Sequence, residues 1–474
     1  MKIATSYKCM IKQQYKYKRI NTGRKDKKGR IINANIPNLE KPFSINKKDL
    51  KNTYLIYRKA LAYIIDVTNK EWDNIKDLDS KEKINAIENF IHNTDNNKAS
   101  YDFDKVFYKF PSYFRRNAIS SAIGKVSSYK SNYKIWEENG KKGNPPKLSY
   151  EHFEMPTFYR GNMYKSLEDK HYIELKLYVN NDWVWVPFKL SHTDIRYIEK
   201  YLLDKEQSNP TLVKKGKNYY LNFAYKEYCS LTDKDQLDYK ILAVDLGLNS
   251  NAIMSVLDKT GTVYARNFVN LTYEKDQLQR TLNTVKKYQQ QGLFNNKSLW
   301  RKVTNINKDI SIKTARAIID FAKLHKVDCI VFEHLDVQGK KHGTKKQQLH
   351  HWRCKQIQKM VELKAHQNGM RISRICAWGT SKLAFDGSGE VSRGKYIKNG
   401  IEYYNYSICT FNNGKQYNCD LNASYNIGAR FFLRAFNNKY NNIEIKTPQR
   451  TLATLKDYYS NLDDNIKEEL SLFS

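Results

Sequence analysis

Three acidic residues stand where apolar segments end, and their side chains could hold metal ions. Asp245 follows the apolar run of residues 241–244, Glu333 lies near the end of the segment 328–335, and Asp420 precedes a predicted helix. A carboxylate in such a place costs several kcal/mol unless a cation or hydrogen-bond donors compensate. Asp245 alone could equally be an exposed acid at the end of a core strand. Three such acids in one predicted domain favour a shared site.

The chemistry that these acids could perform is metal-assisted cleavage of phosphodiester bonds. Three neighbouring carboxylates repel one another unless divalent cations hold them, and hard oxygen ligands select Mg²⁺ or Mn²⁺. Two such ions can stabilise both the attacking and the leaving oxygen of a phosphodiester. We therefore predict that Asp245, Glu333 and Asp420 are catalytic and bind two Mg²⁺ or Mn²⁺ ions.

The elements that must position these acids alternate along the second half of the chain. Apolar runs and helical periodicity predict strands over 241–245, 252–257, 262–268, 329–335 and 371–378, and helices over 273–290, 299–326, 346–368 and 422–436. Residues 380–417 are predicted to be rich in loops. This alternation is typical of an α/β domain with a mixed sheet.

The first half of the chain has a different pattern. A strand is predicted over residues 2–13 and a basic loop over 24–30, followed by helices that open near residue 46, over 81–92 and at Pro111. After the boundary GNPPKL, alternating segments such as YIELKLYV and WVWVPFKL predict strands, with a helix over 193–203 between them. The pattern favours a small antiparallel barrel or sandwich with the helical segment inserted, and hence a multidomain α+β protein.

The charge of the chain points to nucleic acid as a partner. The formal net charge is +33, from 82 Lys and Arg against 49 Asp and Glu, which no fold requires. An AT-rich genome would also raise the lysine content, but it supplies Asn as a neutral alternative. We predict nucleic-acid contacts for Arg24, Lys27, Lys28, Arg115, Arg116, Lys125, Lys130, Lys340, Lys341, Lys345, Lys346 and Arg353.

One predicted helix carries much of this argument. Between Pro111 and Trp136 basic and aromatic side chains alternate without any acid, which suits contacts with phosphates and bases. An amphipathic helix with its aromatic residues in a core explains the same pattern, and both interpretations can hold on opposite faces.

Cysteine usage and hydropathy predict a cytoplasmic location. The seven cysteines are scattered and odd in number, which is typical of reduced thiols rather than of a disulfide framework. The first ten residues, MKIATSYKCM, contain no apolar stretch of a signal peptide, and no segment approaches the 18 apolar residues of a membrane span. We expect a protein of the prokaryotic cytosol without membrane contact.

Three motifs resemble those of a known family. VDLG, IVFEHL and CDLNASYNI resemble the first, second and third motifs of a RuvC nuclease domain, and Asp420 to Ile427 fit the pattern D-x-N-A-x-x-N-I. The arrangement is similar to the TnpB family of transposon-encoded RNA-guided nucleases and to the compact type V CRISPR effectors. The resemblance is close over residues 240–435 and only architectural over residues 1–239.

The resemblance implies a domain layout. Residues 1–44 and 141–237 would form a β-barrel wedge domain that receives a helical recognition domain, residues 45–140. Residues 238–375 and 418–474 would form an RNase H-like RuvC domain. Residues 376–417 would be a small insert that binds the target nucleic acid.

The resemblance also implies a function and partners. It implies an RNA-guided DNA endonuclease that binds a guide RNA and target double-stranded DNA, with a homodimer on one RNA as an open alternative. An RNA-guided DNA-binding protein without cleavage would lose catalytic acids, and a transposase would order its acids as Asp, Asp, Glu. The motifs do not distinguish a transposon-encoded protein from a CRISPR effector.

The predicted insert departs from the family pattern. Family members commonly carry a zinc-binding insert with two CxxC pairs, whereas this chain has Ala384 and Gly387 where cysteines are expected and contains no CxxC. Cys376, Cys409 and Cys419 are badly spaced for a structural zinc site. We therefore expect a degenerate zinc finger that keeps its position without zinc.

Overall fold

The protein consists of two compact units in a computed structural model. The structure describes residues 1–25, 31–150, 155–247, 250–335, 353–398, 400–440, 450–462, 466, 467 and 470. The N-terminal unit comprises Lys2–Glu227, and the C-terminal unit comprises Met1 and Tyr228–Ser474. The division falls shortly before residue 238, where we predict the start of the nuclease domain.

The N-terminal unit is built on an antiparallel sheet. Seven strands pair in the order β4-β5-β6-β1-β9-β7, with β8 paired to another stretch of β9, and β2 and β3 form a separate hairpin. The strands are β1 (Lys2–Gln14), β2 (Tyr17–Lys25), β3 (Ile31–Pro37), β4 (Tyr164–Ser166), β5 (Tyr172–Val179), β6 (Asp182–Leu190), β7 (Glu206–Gln207), β8 (Thr211–Lys215) and β9 (Asn218–Tyr228).

Among the described residues this unit has six helices, which include the four that the sequence predicts. They are α1 (Lys47–Lys70), α2 (Trp72–Ile75), α3 (Ser80–Ile91), α4 (Phe103–Val106), α5 (Ser112–Glu138) and α6 (His192–Tyr201). Asn46 caps α1 by accepting a hydrogen bond from Lys48 N at 3.1 Å, and Pro111 precedes α5. Helix α1 packs against α5 and β5, and fully buried Tyr57 and Phe114 meet edge to face in their shared core.

The C-terminal unit contains a mixed five-stranded sheet in the order β12-β11-β10-β13-β14. Strands β10 (Ile241–Asp245), β11 (Ala252–Leu257) and β12 (Val263–Val269) are antiparallel, whereas β13 (Cys329–His334) and β14 (Arg371–Cys376) run parallel to β10. The helices of this unit are α7 (Thr272–Gln290), α8 (Lys297–Leu324), α9 (Cys354–Gln367), α10 (Cys419–Tyr440) and α11 (Leu452–Ser460). Two units that combine strands and helices confirm the mixed α/β multidomain part of the predicted fold class.

Both faces of the mixed sheet are covered, and the alternation of side chains decides which face each residue joins. Ile241 and Ala243 of β10 pack in one core with the apolar residues of α10. Leu242 and Val244 pack in a second core with α8 and α9 on the opposite face. The continuous apolar run before Asp245 therefore has the burial that a central strand requires.

The prediction that residues 380–417 are rich in loops was wrong. They contain β15 (Ser392–Lys398), β16 (Ile401–Thr410) and β17 (Gln416–Asn418), which form a three-stranded antiparallel sheet. The sequence carries a signal for this hairpin, because the Asn-Gly pair at 399–400 lies between two segments that contain Tyr and Ile. Gly400 adopts φ +75°, which the turn requires.

The start of the last long helix also differs from the prediction. Helix α10 begins at Cys419 rather than at Asn422, because Asn418 caps it. The Asn418 Oδ1 atom accepts hydrogen bonds from Asp420 N at 3.1 Å and from Leu421 N at 2.9 Å. Asp420 is therefore held in the first turn of a helix, not in a loop before one.

In the described part of the chain, no helix has the length and apolar character to cross a membrane.

Candidate active site

Two of the three predicted acids lie side by side on neighbouring strands. Strands β10 and β13 are parallel, with Ala243 opposite Val331 and Val244 opposite Phe332. One residue further along, the same register places Asp245 beside Glu333, and neighbouring strands lie about 4.8 Å apart. The sequence order of the two strands says nothing about this pairing, which the tertiary structure supplies.

The same two acids face helix α10. Ala243 and Val331 belong to the core on the α10 side of the sheet. Because side chains alternate along a strand, Asp245 and Glu333, two residues later on their strands, point to that same face. The face that α10 covers thus receives both carboxylates at the end of the sheet.

Helix α10 brings the third acid to this place. A Cβ atom on Gly428 would lie 2.7 Å from Leu257 Cδ1 and 3.4 Å from Ala243 Cβ, so the glycine allows the helix to pack close to the sheet. At its first turn, Asp420 Oδ2 lies 3.9 Å from the position that a Cβ would take on Gly247, directly after β10. The structure therefore brings Asp245, Glu333 and Asp420 to one end of the sheet.

The pKa of all three carboxyls is raised, and at Asp245 the charges of the other two acids contribute. Burial raises the pKa of Asp245 well above its ordinary value, and the charges of Glu333 and Asp420 raise it further. Burial also raises the pKa of Glu333 and of Asp420. Such shifts arise where like charges share a place with little solvent, which is typical of functional sites.

A cation that sequence reasoning missed lies near the three acids. The charge of Arg393, on β15, opposes the rise of the pKa of all three carboxyls. Its Nη2 atom donates a hydrogen bond to the carbonyl oxygen of Ser381. No local signal marks this arginine, because it lies outside the three motifs in a stretch predicted to be loops.

A hydroxyl group orients Glu333. Thr380, which is 1% exposed, donates a hydrogen bond from Oγ1 to Glu333 Oε1, and this bond lowers the pKa of Glu333 against the effect of burial. The same hydroxyl lies 3.0 Å from the carbonyl oxygen of Ala377. Thr380 is therefore a positioning residue that sequence reasoning did not identify.

The two asparagines of the third motif fasten the segment that carries Thr380. Asn426 Nδ2 donates to the carbonyl oxygens of Thr380 and Leu383, both at 2.9 Å. Asn422 donates to Leu383 O at 2.8 Å and accepts from Phe385 N at 2.7 Å. Both amides are completely buried, so their hydrogen bonds are costly to lose.

Two arginines continue this row along α10. Arg430 Nη1 donates to the carbonyl oxygens of Cys376 at 3.0 Å and Trp378 at 2.6 Å. Arg434 donates to Arg374 O at 3.0 Å and to Ser373 Oγ at 2.6 Å. Since residues 422, 426, 430 and 434 follow one another at intervals of four, one stripe of the helix holds β14 and the following segment.

The donor set suits hard divalent cations. Three half-buried carboxylates at one end of a sheet favour Mg²⁺ or Mn²⁺ over soft metals. Within the ranges that the structure describes, however, no three His, Cys, Asp or Glu side chains lie close enough together to hold one metal ion, so Asp245, Glu333 and Asp420 converge on this end of the sheet without forming a closed set of ligands. Cys409 and Cys419 pack with Ala384 and Phe411 in a small apolar cluster, whereas Cys376 is exposed.

One predicted nucleic-acid contact, Arg115, has its side chain inside the protein. Arg115 is 4% exposed, and its guanidinium lies 3.0 Å from Glu88 and 3.9 Å from Asp104. Its charge is therefore paired inside the helical region. The amphipathic interpretation of α5 explains this residue, because Arg115 lies on the buried stripe with Phe114 and Ala118. Arg116 is exposed but pairs with Glu88 at 3.0 Å.

The other predicted contacts stay predictions. Lys125 and Lys130 are half-buried on α5, and Arg353 donates to Gln356 Oε1 at 3.1 Å at the start of α9. The side chain of Arg24 lies outside the described residues, as do Lys27, Lys28, Lys340, Lys341, Lys345 and Lys346. The predicted helical residues 346–352 also fall outside them.

Comparisons with known sequences give two matches. Residues 5–179 match the model of the Aq_aa04 family. The TnpB-like protein aq_aa05 of Aquifex aeolicus (strain VF5) is 28% identical over 199 residues, which is 38% of this chain and 64% of that protein. The alignment thus spans just under two thirds of the length of this relative.

Comparisons with solved structures extend over most of the chain. The Cas12f1–sgRNA–target DNA complex matches with a TM-score of 0.52 and 14% identity, over 90% of this chain and 98% of the other. The mini-RNA-guided endonuclease CRISPR-Cas_phi3 matches with a TM-score of 0.53 and 12% identity, over 91% and 92%. At such identities the likeness shows the fold alone. The resemblance carried by the three motifs is confirmed, since this chain is similar in sequence to a TnpB-like protein and in fold to compact type V CRISPR effectors.

Proposed function

We propose that the protein is an RNA-guided DNA endonuclease and that its C-terminal unit is an RNase H-like RuvC domain. The observation that carries the proposal is the convergence of Asp245, Glu333 and Asp420 at one end of a mixed sheet. The parallel pairing of β10 and β13 and the packing of α10 on the same face produce that convergence. The motifs and the fold likeness support the same conclusion.

In this proposal the three carboxylates bind two Mg²⁺ or Mn²⁺ ions. When bound, such ions supply Lewis acidity and lower the pKa of water in phosphodiester hydrolysis. The protein contributes the anionic ligands, and Thr380 holds the Glu333 carboxyl in one orientation. Arg393 adds a positive charge that can stabilise the scissile phosphate electrostatically, because this charge acts at the place where all three acids lie.

The partners follow from the same assignment. A guide RNA would select the target by base pairing, and the protein would bind the backbone of the resulting heteroduplex. The net charge of +33 supports a complex with both the guide RNA and the target DNA. We assign the N-terminal sheet to a barrel-like wedge domain, α1–α5 to the recognition domain, and β15–β17 to the insert that binds the target; a homodimer on one RNA stays part of the proposal.

The decisive experiment is cleavage by the purified protein–RNA complex. Sequencing the co-purified RNA defines the guide, and a plasmid library with the complementary target beside randomised flanks supplies the substrate. We expect linearised plasmid in Mg²⁺ and its loss in Asp245→Ala. Asp457→Ala, which removes an exposed acid of the same unit, is the matched control and should cut like the parent.

Other outcomes would point to other functions. Target binding without any cut in Mg²⁺ or Mn²⁺ would identify an RNA-guided DNA-binding protein. Strand-transfer products formed without RNA would identify a transposase. Equal cleavage by the parent and Asp245→Ala would remove the three acids from the mechanism.

A further inference from the structure

The N-terminal unit presents a stack of three tyrosine rings on its surface. Tyr7 of β1 lies on Tyr197 of α6 with 4.5 Å between ring centroids and 10° between ring planes. Tyr197 in turn contacts Tyr201 at 4.8 Å, with 48° between the planes. Tyr197 is 43% exposed and Tyr201 is 51% exposed, so the middle ring and the last ring of the stack both reach solvent.

The stack is held in place from below. Tyr197 and Tyr201 share one face of α6 because they are four residues apart, while Ile195 of the same helix is buried. The hydroxyl of Tyr7 donates to Asp194 Oδ1 at 3.2 Å, and the amide of Met10 donates to Asp194 Oδ2 at 2.9 Å. The innermost ring is thus fixed to both β1 and α6, and the platform that it supports is preorganised.

Two cations flank the rings. Arg196 and Lys200 are exposed and also four residues apart, so they form a row beside the tyrosines. Lys200 Nζ lies 5.2 Å from the centroid of Tyr201. Across the described ranges of the chain, neither cation forms an ion pair. The exposed acid Glu199 lines a cavity on the other flank of α6, together with Ile198 and Leu202.

We propose that the stack of Tyr7, Tyr197 and Tyr201 is a platform for unpaired bases of a single-stranded RNA, with Arg196 and Lys200 on the adjoining phosphates. Bases stack on aromatic side chains at about 1–3 kcal/mol each and need no particular sequence. This inference rests on the proposed RNA-guided function and deepens it by naming a surface for the RNA.

The chemistry favours RNA over the DNA target. Bases in the DNA target stay stacked inside the duplex until the guide pairs with one strand, whereas folded RNA exposes unpaired bases in loops and bulges before any target is bound. Exposed aromatic rings find no unpaired base to stack on in an intact duplex. The row of cations complements the phosphates that accompany each unpaired base.

The test compares two double variants of the full-length protein after its bound RNA has been removed at high salt. Tyr197→Leu/Tyr201→Leu removes both exposed rings, and Tyr197→Phe/Tyr201→Phe keeps them. The probe is a labelled, unstructured 12-nucleotide RNA, with an RNA duplex of equal length beside it. We expect the leucine pair to lose about 5- to 150-fold in affinity for the single strand. The phenylalanine pair should retain it, and duplex binding should not change.

Two further readouts localise the effect on a protein with many other cations. Irradiation of a 5-iodouridine RNA should give a crosslinked peptide that contains residues 197–201. Arg196→Gln/Lys200→Gln should reduce the slope of log affinity against log salt by about 1.4, since each single-strand phosphate contact contributes about 0.7. The leucine pair should leave the slope unchanged, because it removes no charge.

The proposal fails if the leucine pair binds the single-stranded RNA as the parent does, or if it loses affinity for single-stranded DNA and not for RNA. It also fails if the crosslinks map only to other peptides. None of these readouts involves DNA cleavage. A failure of the platform with intact cleavage, and a failure of cleavage with an intact platform, are therefore distinguishable.

Discussion

Asp245 carries the largest electrostatic strain of the candidate site. It lies beside Glu333 on a parallel strand, near Asp420, and its pKa is raised first by burial and then by these two charges. A side chain that the fold destabilises when ionised is an unfavourable choice for stability alone. The cost is expected where anionic ligands are needed for function.

This strain predicts a dependence of stability on pH. The pKa of Asp245 in the folded protein lies above its value in the unfolded chain, which is about 3.9. Protonation of Asp245 therefore stabilises the folded state, and this contribution to the free energy of unfolding is fully present below about pH 3.9. The contribution is lost as the pH rises through the folded pKa. In EDTA at pH 7, Asp245→Asn should therefore unfold at a higher temperature than the parent, and the difference should shrink at pH 4.

The size of this effect can be bounded. A pKa difference of one between the folded and unfolded states is worth about 1.4 kcal/mol, or about 3–5 °C in a unit of this size. Thermal unfolding by circular dichroism measures it, with Asp457→Asn as the exposed control. Equal unfolding temperatures of Asp245→Asn and the parent at pH 7 would show that the ionised Asp245 carboxylate does not destabilise the folded protein.

Thr380 permits a second prediction for a single residue. Thr380→Val removes the hydroxyl that donates to Glu333 but keeps the shape of the side chain. We expect cleavage to fall about 10- to 100-fold and to require more Mg²⁺ for half-maximal rate, as is typical when a residue that orients a metal ligand is lost. Thr380→Ser should retain activity. A valine variant with the parent's Mg²⁺ dependence would assign Thr380 a purely structural role.

Among the elements, helix α10 does most to assemble the site. Its first turn carries Asp420, Gly428 lets it approach β10 and β11, and Ser424 Oγ meets Ser255 Oγ of β11 at 3.0 Å. The stripe of Asn422, Asn426, Arg430 and Arg434 binds the backbone that follows β14. The third motif is therefore a structural fastening as much as a source of one acid.

The fastening predicts a combined loss of stability and activity. Asn426→Ala leaves the buried carbonyl oxygens of Thr380 and Leu383 with fewer donors, which costs about 1–3 kcal/mol. The unfolding temperature should fall, and cleavage should fall further because Thr380 is no longer held against Glu333. Asn438→Ala, at an exposed position of the same helix, should change neither. If the Asn426→Ala variant is less stable but cleaves at the parent's rate, the hydrogen bonds of Asn426 stabilise the fold without positioning Thr380 against Glu333.

At the scale of the whole molecule, the dominant property is the positive charge of +33. Arg115 shows that this charge is not all available, because it pairs with Glu88 and Asp104 inside the helical region. Nonetheless the excess is far larger than internal pairing can use. Affinity for nucleic acid should therefore depend strongly on salt.

We expect the affinity for guide RNA to fall about 10³- to 10⁵-fold between 50 and 200 mM salt, as for a protein that contacts six to ten phosphates. Fluorescence anisotropy over a salt series measures the slope. A matched series with Arg115→Gln should give the parent's slope, since the buried Arg115 releases no counterion although the substitution removes a positive charge. A slope near zero for the parent would contradict an electrostatic complex.

Much of the fold could be predicted because its signals are local. Asn46 and Pro111 mark helix starts, and apolar runs mark β10, β11 and β13, so these elements were predicted within a few residues. The sheet of β15, β16 and β17 was not predicted, although the sequence contains the Asn-Gly pair of its turn, because its strands contain few aliphatic residues. The early start of α10 was missed because the capping Asn418 is recognised only from the backbone around it.

The amino-acid sequence by itself determined which acids belong to the candidate site, since each stands at the end of an apolar segment and within a recognisable motif. It also determined the sign of the charge and hence the class of partner. Only the tertiary structure decided that β10 and β13 pair in register, that Thr380 contacts Glu333, and that the charge of Arg393 acts on all three acids. The physical reason is that these contacts join residues far apart in the chain, and such contacts leave no periodic or compositional trace in the sequence.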